Sequence, residues 1–227
     1  DYRTQVSDAL FEFGILPEVH HHEVAASGQV EINFYMDTLV GASDSIVTIK
    51  SVAREIAKSV GKYATFMPKP IFGDNGSGMH VHVSLWDGNG YELTNSYRRL
   101  VPGYEAPTFI AWSRGNRSAN IRIPVYRSGN EKEKRIEFRT PDPSCNPYMA
   151  LPAIVLAGLD GIKEKIDPGN PVDRNLYELS ERELEELGVM KLPGSLKDAV
   201  EELKSDNEYL KPFFSKETLS TFEEMLI

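Results

Sequence analysis

The sequence has little cysteine, no long apolar run and no excess of basic residues. Its single cysteine, Cys145, cannot form an internal disulfide, which predicts a reducing, cytoplasmic location. Since no run reaches about 18 apolar residues, we expect no transmembrane helix. The first residues, DYRTQVSD, resemble neither a signal peptide nor a basic leader. The net charge of −9 disfavours a general nucleic-acid binder, which needs a basic surface.

The charges are unevenly distributed along the chain. Eight of the 12 arginines lie between Arg98 and Arg139, whereas residues 168–227 read as an acidic helical subregion. Arginines concentrated in an acidic protein indicate a local anionic ligand. A solvated basic face is an equally open interpretation of the composition.

Apolar periodicity predicts strands in the first part of the chain and helices in the last. Because βαβ alternation is absent, the predicted fold class is α+β with an antiparallel sheet. The predicted strands are two runs within Pro17–Phe34, then Tyr63–Met67, Met79–Trp86, Asn120–Tyr126 and Lys134–Arg139. The predicted helices are Ser43–Val60, Pro147–Ile166, Ser180–Leu187, Leu196–Leu203 and Lys216–Leu226, with a helix end at Ser7–Phe13.

Alternate side chains of a strand share one face, and here the polar faces carry ligands rather than a loose polar mixture. Carboxylate and imidazole together suit Mg²⁺ or Mn²⁺, and neighbouring arginines suit phosphate or carboxylate groups. That combination is typical of phosphoryl transfer. An ordinary wet face of an antiparallel sheet remains the alternative. The faces are Gln29, Glu31 and Asn33; His80, His82 and Ser84; Arg135, Glu137 and Arg139; and, in the first strand, Glu18, His20 and His22 opposite Val19, His21 and Glu23.

Two other features are weaker signals. The Gly73–Gly78 loop lacks the lysine of a phosphate-binding P-loop, but it leads directly into the strand with His80 and His82. Adjacent histidines of a strand point to opposite faces, so we expect structural roles for most of the His20–His22 triplet. Cys145 reads as a buried, inert thiol.

Six ordered motifs resemble the catalytic domain of prokaryotic type I glutamine synthetases. They are HHHEVAASGQVEI, GDNGSGMHVHVSLW, NSYRRLVPGYEAP, NRSANIRIP, RIEFRTPDPSCNPYMALPAIVLAGLDGI and NLYEL, and they span His20 to beyond Tyr177. The resemblance implies a curved antiparallel sheet, an open half-barrel with flanking helices of the glutamine synthetase/guanido kinase-like type. It also implies the synthesis of glutamine from glutamate, ammonia and ATP through γ-glutamyl phosphate.

The resemblance assigns roles to individual residues. Glu23 and Glu31 resemble ligands of one divalent metal, and His80 and Glu137 ligands of a second, Mg²⁺ or Mn²⁺. Arg117 and Arg122 resemble the arginines that stabilise the transferring phosphoryl group, and Glu105 resembles a flap residue that acts on ammonium. The glutamate-binding positions are Asn75, Gly76, His80, Arg99 and Arg139, and the nucleotide positions are Glu18, His82, Ser84, Lys132 and Arg135.

Some positions depart from the family pattern. Met36 stands where the family often has an adenine-stacking Phe, and the link between Trp86 and Thr94 is short. The short link resembles the branch that lacks an insertion. Tyr177 matches the tyrosine that the longer branch adenylylates, so we interpret it here as an ordinary residue.

Other interpretations stay open. A ligase that joins glutamate to a polyamine or another amine would keep the ATP and metal motifs, and a non-catalytic binding domain could use the same scaffold. The presence of Glu23, Glu31, His80 and Glu137 disfavours the latter.

Residues 1–227 are expected to form a truncated catalytic domain. The family's N-terminal β-grasp domain, its first catalytic strand with two metal-ligating glutamates, and its C-terminal segment are not in the sequence. The chain alone should therefore show almost no γ-glutamyl transfer with Mn²⁺ and ADP, and should not form the family's homo-dodecamer, whose active sites lie between subunits. Turnover near that of a complete glutamine synthetase would contradict this expectation.

Overall fold

The computed structural model describes residues 1–26, 28–84, 99–101, 103–104, 106–126, 129 and 134–226. Seven strands and six α-helices are assigned within those ranges. The helices are α1 (Tyr2–Glu12), α2 (Leu39–Ser59), α3 (Pro147–Lys163), α4 (Glu181–Glu186), α5 (Leu196–Ser205) and α6 (Lys216–Leu226). The strands are β1 (Pro17–His22), β2 (Val30–Phe34), β3 (Val81–Val83), β4 (Phe109–Arg114), β5 (Ala119–Ile123), β6 (Ile136–Phe138) and β7 (Met190–Lys191).

The first part of the chain is a β-hairpin packed against two helices. Strands β1 and β2 pair antiparallel, with His21 opposite Glu31, and Gly28 takes a positive φ of 79° in the turn between them. The side chain of Thr38 begins α2 by accepting a hydrogen bond from the Gly41 amide at 3.2 Å. An apolar core joins Val6, Leu10, Ile49, Val52 and Ala53 of the two helices and contacts β2 through Ile32 and Phe34.

The remaining strands form a second sheet in the order β3-β6-β5-β4-β7. Three of its pairs are antiparallel, but β4 and β5 are parallel, with Phe109 opposite Ala119. The chain therefore turns back between the two strands, and Gly115 takes a positive φ of 90° there. The α+β class is confirmed. The expectation of uniformly antiparallel pairing is wrong for this pair, and the described strands form two sheets rather than one.

The alternation of faces in the second sheet follows the sequence pattern. One face presents Val81, Phe138 and Ile121 in register, and these pack on Leu151 and Ile154 of α3. The opposite face carries His82, Glu137 and Arg122 in register. Because α3 packs on the apolar face, the side chains that could bind a metal or an anion lie on the other face.

The C-terminal residues join the rest of the chain through two apolar clusters. One places Val172, Leu176 and Leu184 against Phe109 and Ala119. The other places Leu210, Phe214 and Leu219 against Ala153 of α3. The separation of 168–227 as an acidic subregion stays a prediction. Among the helices that the structure describes, none combines the length and apolarity needed to cross a membrane.

The strand predictions differ from the structure at residues 63–67, at β4 and at the two-residue β7, which was not predicted either. Residues 63–67 form no strand, and Tyr63 is fully exposed at 100%. Its β-branched and aromatic neighbours have strand propensity but no described strand beside them to pair with. Conversely, β4 was not predicted, because FIAWSR does not alternate regularly between apolar and polar residues. The predicted helices are confirmed, with boundaries shifted by a few residues.

We expect Leu176→Ala to destabilise the fold strongly. The Leu176 side chain is 0% exposed inside the cluster that joins the C-terminal residues to β4. Its truncation should lower the free energy of unfolding by about 2–5 kcal/mol. Leu187, which is 47% exposed, is the matched control; Leu187→Ala should change it by no more than about 0.5 kcal/mol. Urea denaturation measures both, and equal midpoints for the two variants would contradict the expectation.

Candidate functional site

Glu137 lies between His82 and Arg122 on the polar face of the second sheet. It is almost fully buried, at 2% exposure. One carboxylate oxygen accepts a hydrogen bond from Nη1 of Arg139 at 2.7 Å, and the other accepts from Arg122. Burial alone would raise the pKa of Glu137, but the Arg139 and Arg122 charges outweigh it, so the pKa is lowered. The carboxylate is therefore ionised and held in a fixed orientation.

His80 stands beside this carboxylate, with Nδ1 3.3 Å from Oε1 of Glu137. Burial, together with the positive charges of Arg139 and Arg99, lowers the pKa of His80 well below its ordinary value. The imidazole is thus neutral at physiological pH and keeps a lone pair for a cation. Neighbouring imidazole and carboxylate donors at this spacing suit adjacent positions around one divalent metal.

Arg99 is buried next to this pair, at 5% exposure. Its Nη1 donates to the Arg139 carbonyl at 2.9 Å, and its Nη2 lies 3.4 Å from Nε2 of His80. Burial first, and then the Arg139 charge, lowers the pKa of Arg99 to about 10. No carboxylate of the described residues forms a salt bridge with Arg99. Nε of Arg139 is also buried without a hydrogen-bond partner in the same part of the chain. Two cationic groups placed this way favour an anionic ligand.

The backbone of the glycine-rich loop lies close to Arg99 and His80. A Cβ atom on Gly76 would lie 2.7 Å from the Pro68 carbonyl oxygen, and one on Gly78 would lie 2.6 Å from Nη2 of Arg99. The backbone amide of Asn75 donates a hydrogen bond to the Asp74 carboxylate at 2.8 Å, which holds Asn75 in place. Only glycine permits this close approach of backbone to site.

A second cluster lies on the hairpin. His21, Glu23 and Glu31 offer ligand atoms that all lie within 4.8 Å of one another. Nδ1 of His21 is 3.3 Å from a Glu23 oxygen, and its Nε2 is 3.9 Å from a Glu31 oxygen. Burial, and then the neighbouring Glu23 charge, raises the pKa of Glu31. A bound cation would relieve that repulsion, so these three residues fit a divalent metal.

His21 is a candidate ligand that the sequence interpretation did not select. Its signal was present, because His21 and Glu23 were predicted on the same side of β1. Among the three histidines, only His21 joins the cluster of described residues. The expectation of structural roles for most of the triplet is compatible with that position.

Of the nucleotide positions assigned by resemblance, His82 lies in β3 of the second sheet, Ser84 just after β3 and Arg135 just before β6, whereas Glu18 lies in β1 of the hairpin. Nε of Arg135 donates to Nδ1 of His82 at 3.1 Å. Burial lowers the pKa of His82, while the negative charges of Glu137 and Glu18 oppose that shift. The Ser84 hydroxyl contacts the Met36 sulfur at 3.4 Å. Met36, which stands where the family often has a Phe, therefore lies beside Ser84.

The remaining residues that the resemblance singled out are Arg117, Glu105, Lys132 and Tyr177. Arg117 is exposed on the turn between β4 and β5. Glu105 and Lys132 lie outside the described residues. The Tyr177 hydroxyl donates to the Ala106 carbonyl at 2.6 Å, and the ring packs on the Leu176 cluster. A structural role for Tyr177 is consistent with that contact.

The family model of the glutamine synthetase catalytic domain matches residues 1–93 and 90–226 of this sequence. The chain belongs to the glutamine synthetase catalytic-domain family. The carboxylates, histidines and arginines described above therefore lie in a glutamine synthetase scaffold.

Two curated relatives show the same extent of similarity. Glutamine synthetase of Sulfolobus acidocaldarius is 47% identical over 262 aligned residues, covering 99% of this chain and 55% of the relative. Glutamine synthetase of Frankia alni is 45% identical over 260 residues, covering 99% of this chain and 54% of the relative. The chain thus spans about half the length of the curated relatives it matches.

Solved structures agree with this family. A cryo-EM structure of Plasmodium falciparum glutamine synthetase superposes with a TM-score of 0.83 at 26% identity, covering 99% of this chain and 57% of that one. A complex of GmaS with ADP superposes with a TM-score of 0.80 at 26% identity, covering 99% and 58%. The fold of this chain is therefore shared with both solved structures.

The alignments also reveal an internal difference. The Sulfolobus acidocaldarius alignment covers 262 positions, more than the 227 residues of this chain, so that glutamine synthetase has residues that this sequence lacks. The two matched stretches of the family model overlap at residues 90–93. These four residues lie within the short link between Trp86 and Thr94.

We expect Gly76→Ala to destabilise the protein, because its new methyl group would lie 2.7 Å from a backbone oxygen that cannot rotate away. The free energy of unfolding should fall by about 1–3 kcal/mol. In Gly161→Ala the methyl group meets no atom within 4 Å and sits in helix α3, so stability should rise by up to about 1 kcal/mol. Urea denaturation checks both, and an unchanged midpoint for Gly76→Ala would refute the close approach.

Proposed function

We propose that the protein to which this chain belongs joins ammonia to glutamate with hydrolysis of ATP, forming glutamine through γ-glutamyl phosphate. The observation that carries the proposal is the buried group of Glu137, His80, Arg99 and Arg139. It combines a carboxylate–imidazole pair for a cation with guanidinium groups for an anion. The family membership and the names of the relatives support the same reaction.

In the first step, a γ-carboxylate oxygen of glutamate attacks the γ-phosphorus of ATP. A bond forms between them while the bond to the β-phosphate oxygen breaks, so ADP leaves and an acyl phosphate remains. Arg122 and Arg117 would neutralise the transferring phosphoryl group. The hydrogen bond from Arg122 to Glu137 would hold the guanidinium group in place for this role.

In the second step, ammonia attacks the acyl carbon and inorganic phosphate leaves. As it becomes the amide nitrogen, the ammonia loses one proton to the departing phosphate, and before the attack a carboxylate must receive the proton that ammonium gives up. We assign that role to Glu105. Because water would hydrolyse the acyl phosphate, the site must also exclude solvent at this stage.

Glutamate would be held by both ends in the second sheet. Arg99 and Arg139 would bind its carboxylates, and Asn75, the Gly76 backbone and His80 would fix its position. The lack of a salt-bridged carboxylate on Arg99 among the described residues, and the unpartnered Nε of Arg139, support an anion here.

Two groups of residues would hold divalent metal, Mg²⁺ or Mn²⁺. His80 and Glu137 form one, and Glu23 and Glu31 form the other, to which the geometry adds His21. When bound, the metal supplies charge neutralisation of the ATP phosphates and of the glutamate carboxylate. The protein's own part is to hold these donors ionised or neutral as coordination requires, which the pKa shifts of Glu137 and His80 support.

The nucleotide would lie beside His82, on the same face of the second sheet as Glu137. Glu18, His82, Ser84, Lys132 and Arg135 are the residues we assign to ATP. The contacts of His82 with Arg135 and of Ser84 with Met36 support a continuous surface for it. We further place the protein in the cytoplasm and expect a homo-oligomer, a dodecamer by family resemblance, with glutamate, ammonia and ATP as its small-molecule partners.

Calorimetric titration tests this proposal. The chain should bind ATP in the presence of Mg²⁺, and EDTA should abolish that binding. Glu137→Gln should weaken Mg²⁺-dependent binding by about 10–100-fold, whereas Glu164→Gln, which removes one side of an exposed pair with Lys163 at 2.7 Å, should leave it unchanged.

Circular dichroism of each variant separates a binding defect from unfolding. Equal ATP affinity with and without Mg²⁺ would contradict the proposal, as would equal affinity for a folded Glu137→Gln variant and the wild type. In a complete version of the protein, ADP release that depends on ammonia and not on putrescine would confirm the amine substrate.

A further inference from the structure

The two candidate metal groups lie on different sheets. Hydrogen bonds between the β1–β2 turn and the glycine-rich loop connect them. Gln29 ends that turn, six residues after Glu23 and two before Glu31. Its Nε2 donates to the Gly76 carbonyl at 2.8 Å and to the Ser77 hydroxyl at 3.3 Å. Its Oε1 accepts from the Ala25 amide at 3.3 Å. One side chain thus contacts both its own turn and the glycine-rich loop.

Asp74 makes the reciprocal contact from the glycine-rich loop. Its Oδ2 accepts from the Ala26 amide of the turn at 3.1 Å, and its Oδ1 accepts from the Asn75 amide at 2.8 Å. Its carbonyl oxygen accepts from Nζ of Lys69 at 2.7 Å. We call Gln29 and Asp74, with these contacts, the bracket.

The loop has little room to shift on its other side. The Ser77 amide donates to the Pro68 carbonyl at 2.9 Å, and that same oxygen stands 2.7 Å from where a Cβ of Gly76 would be. The loop is therefore held between Pro68 and the bracket. Four residues after Gly76 comes His80, the first ligand of the other metal group.

We propose that Gln29 is a positioning residue that fixes the hairpin cluster of His21, Glu23 and Glu31 relative to the Asn75–Gly76 loop, and so couples divalent-cation binding at the first to glutamate binding at the second. The coupling rests on the proposed function. The bracket rests on the hydrogen bonds alone, since each of them joins described residues at a normal distance.

The amide is the group that these contacts require. It donates to one carbonyl while it accepts from one amide, which a carboxylate of the same shape cannot do. Gln29→Glu would place an acceptor against the Gly76 carbonyl and remove the donor from Ser77. Gln5→Glu, on the exposed side of α1, makes the same chemical change away from the site and is the matched control.

The first measurement needs no ligand. Amide hydrogen exchange should accelerate at Ala26 and Ser77 by at least about threefold in Gln29→Glu, because the turn and the loop lose the hydrogen bonds from Gln29 and keep only the one to Asp74. In Gln5→Glu the same amides should exchange at the wild-type rate. Unchanged exchange at both positions in Gln29→Glu would overturn the bracket.

The second measurement reads the coupling. Free Mn²⁺, followed by electron paramagnetic resonance, gives the Mn²⁺ affinity without glutamate and at saturating glutamate. In the wild type and in Gln5→Glu, glutamate should tighten Mn²⁺ binding by about 5-fold or more. In Gln29→Glu both ligands should still bind, but this ratio should fall towards one.

A purely structural role for Gln29 would give a different result. It would lower the melting temperature or weaken each ligand separately, yet leave the ratio at its wild-type value, and that outcome would overturn the proposal. A wild-type chain that binds neither Mn²⁺ nor glutamate would overturn the proposed function and the coupling together. Exchange at Ala26 and Ser77 would then still decide whether Gln29 holds the loop.

Discussion

The arrangement of the site depends on one buried carboxylate, that of Glu137, and on the charges around it. An ionised carboxylate at 2% exposure is stable only because Arg139 and Arg122 donate to it. Removing one partner of such a buried group typically costs about 3–5 kcal/mol. Burial, and then the positive charges of Arg139 and Arg99, lowers the pKa of the neighbouring His80 and keeps its imidazole neutral. The roles we propose for Glu137, His80 and Arg122, in binding a metal and stabilising the phosphoryl group, thus depend on one set of charge contacts.

The backbone is shaped around that unit. Strand pairing places Glu137 between His82 and Arg122, while Phe138 turns to the helices on the opposite face. The glycine-rich loop can then approach Arg99 and His80 because Gly78 has no side chain. Apolar packing on one face and charge pairing on the other are therefore not separate features. The first fixes the register that the second requires.

Much of this could be predicted from the sequence, for physical reasons. Alternation alone placed Arg135, Glu137 and Arg139 on one face, and helical periodicity found α2 and α3. The parallel pairing of β4 with β5 could not be predicted, because it depends on contacts that fold the short 115–118 connection back, such as the hydrogen bond from Asn116 to the Arg174 carbonyl at 2.6 Å. His21 was overlooked for a different reason. Its position as a candidate ligand follows from its pairing opposite Glu31, and that pairing requires the strand register.

The central claim is that two groups of this chain's own residues hold divalent metal beside a buried anion site. Anomalous diffraction from crystals soaked in MnCl₂ and ADP tests it most directly. We predict one manganese peak within about 2.5 Å of His80 and Glu137 ligand atoms, and another at the same range from Glu23 and Glu31. Manganese peaks confined to other carboxylates, or none at these residues while ADP is bound, would contradict the account.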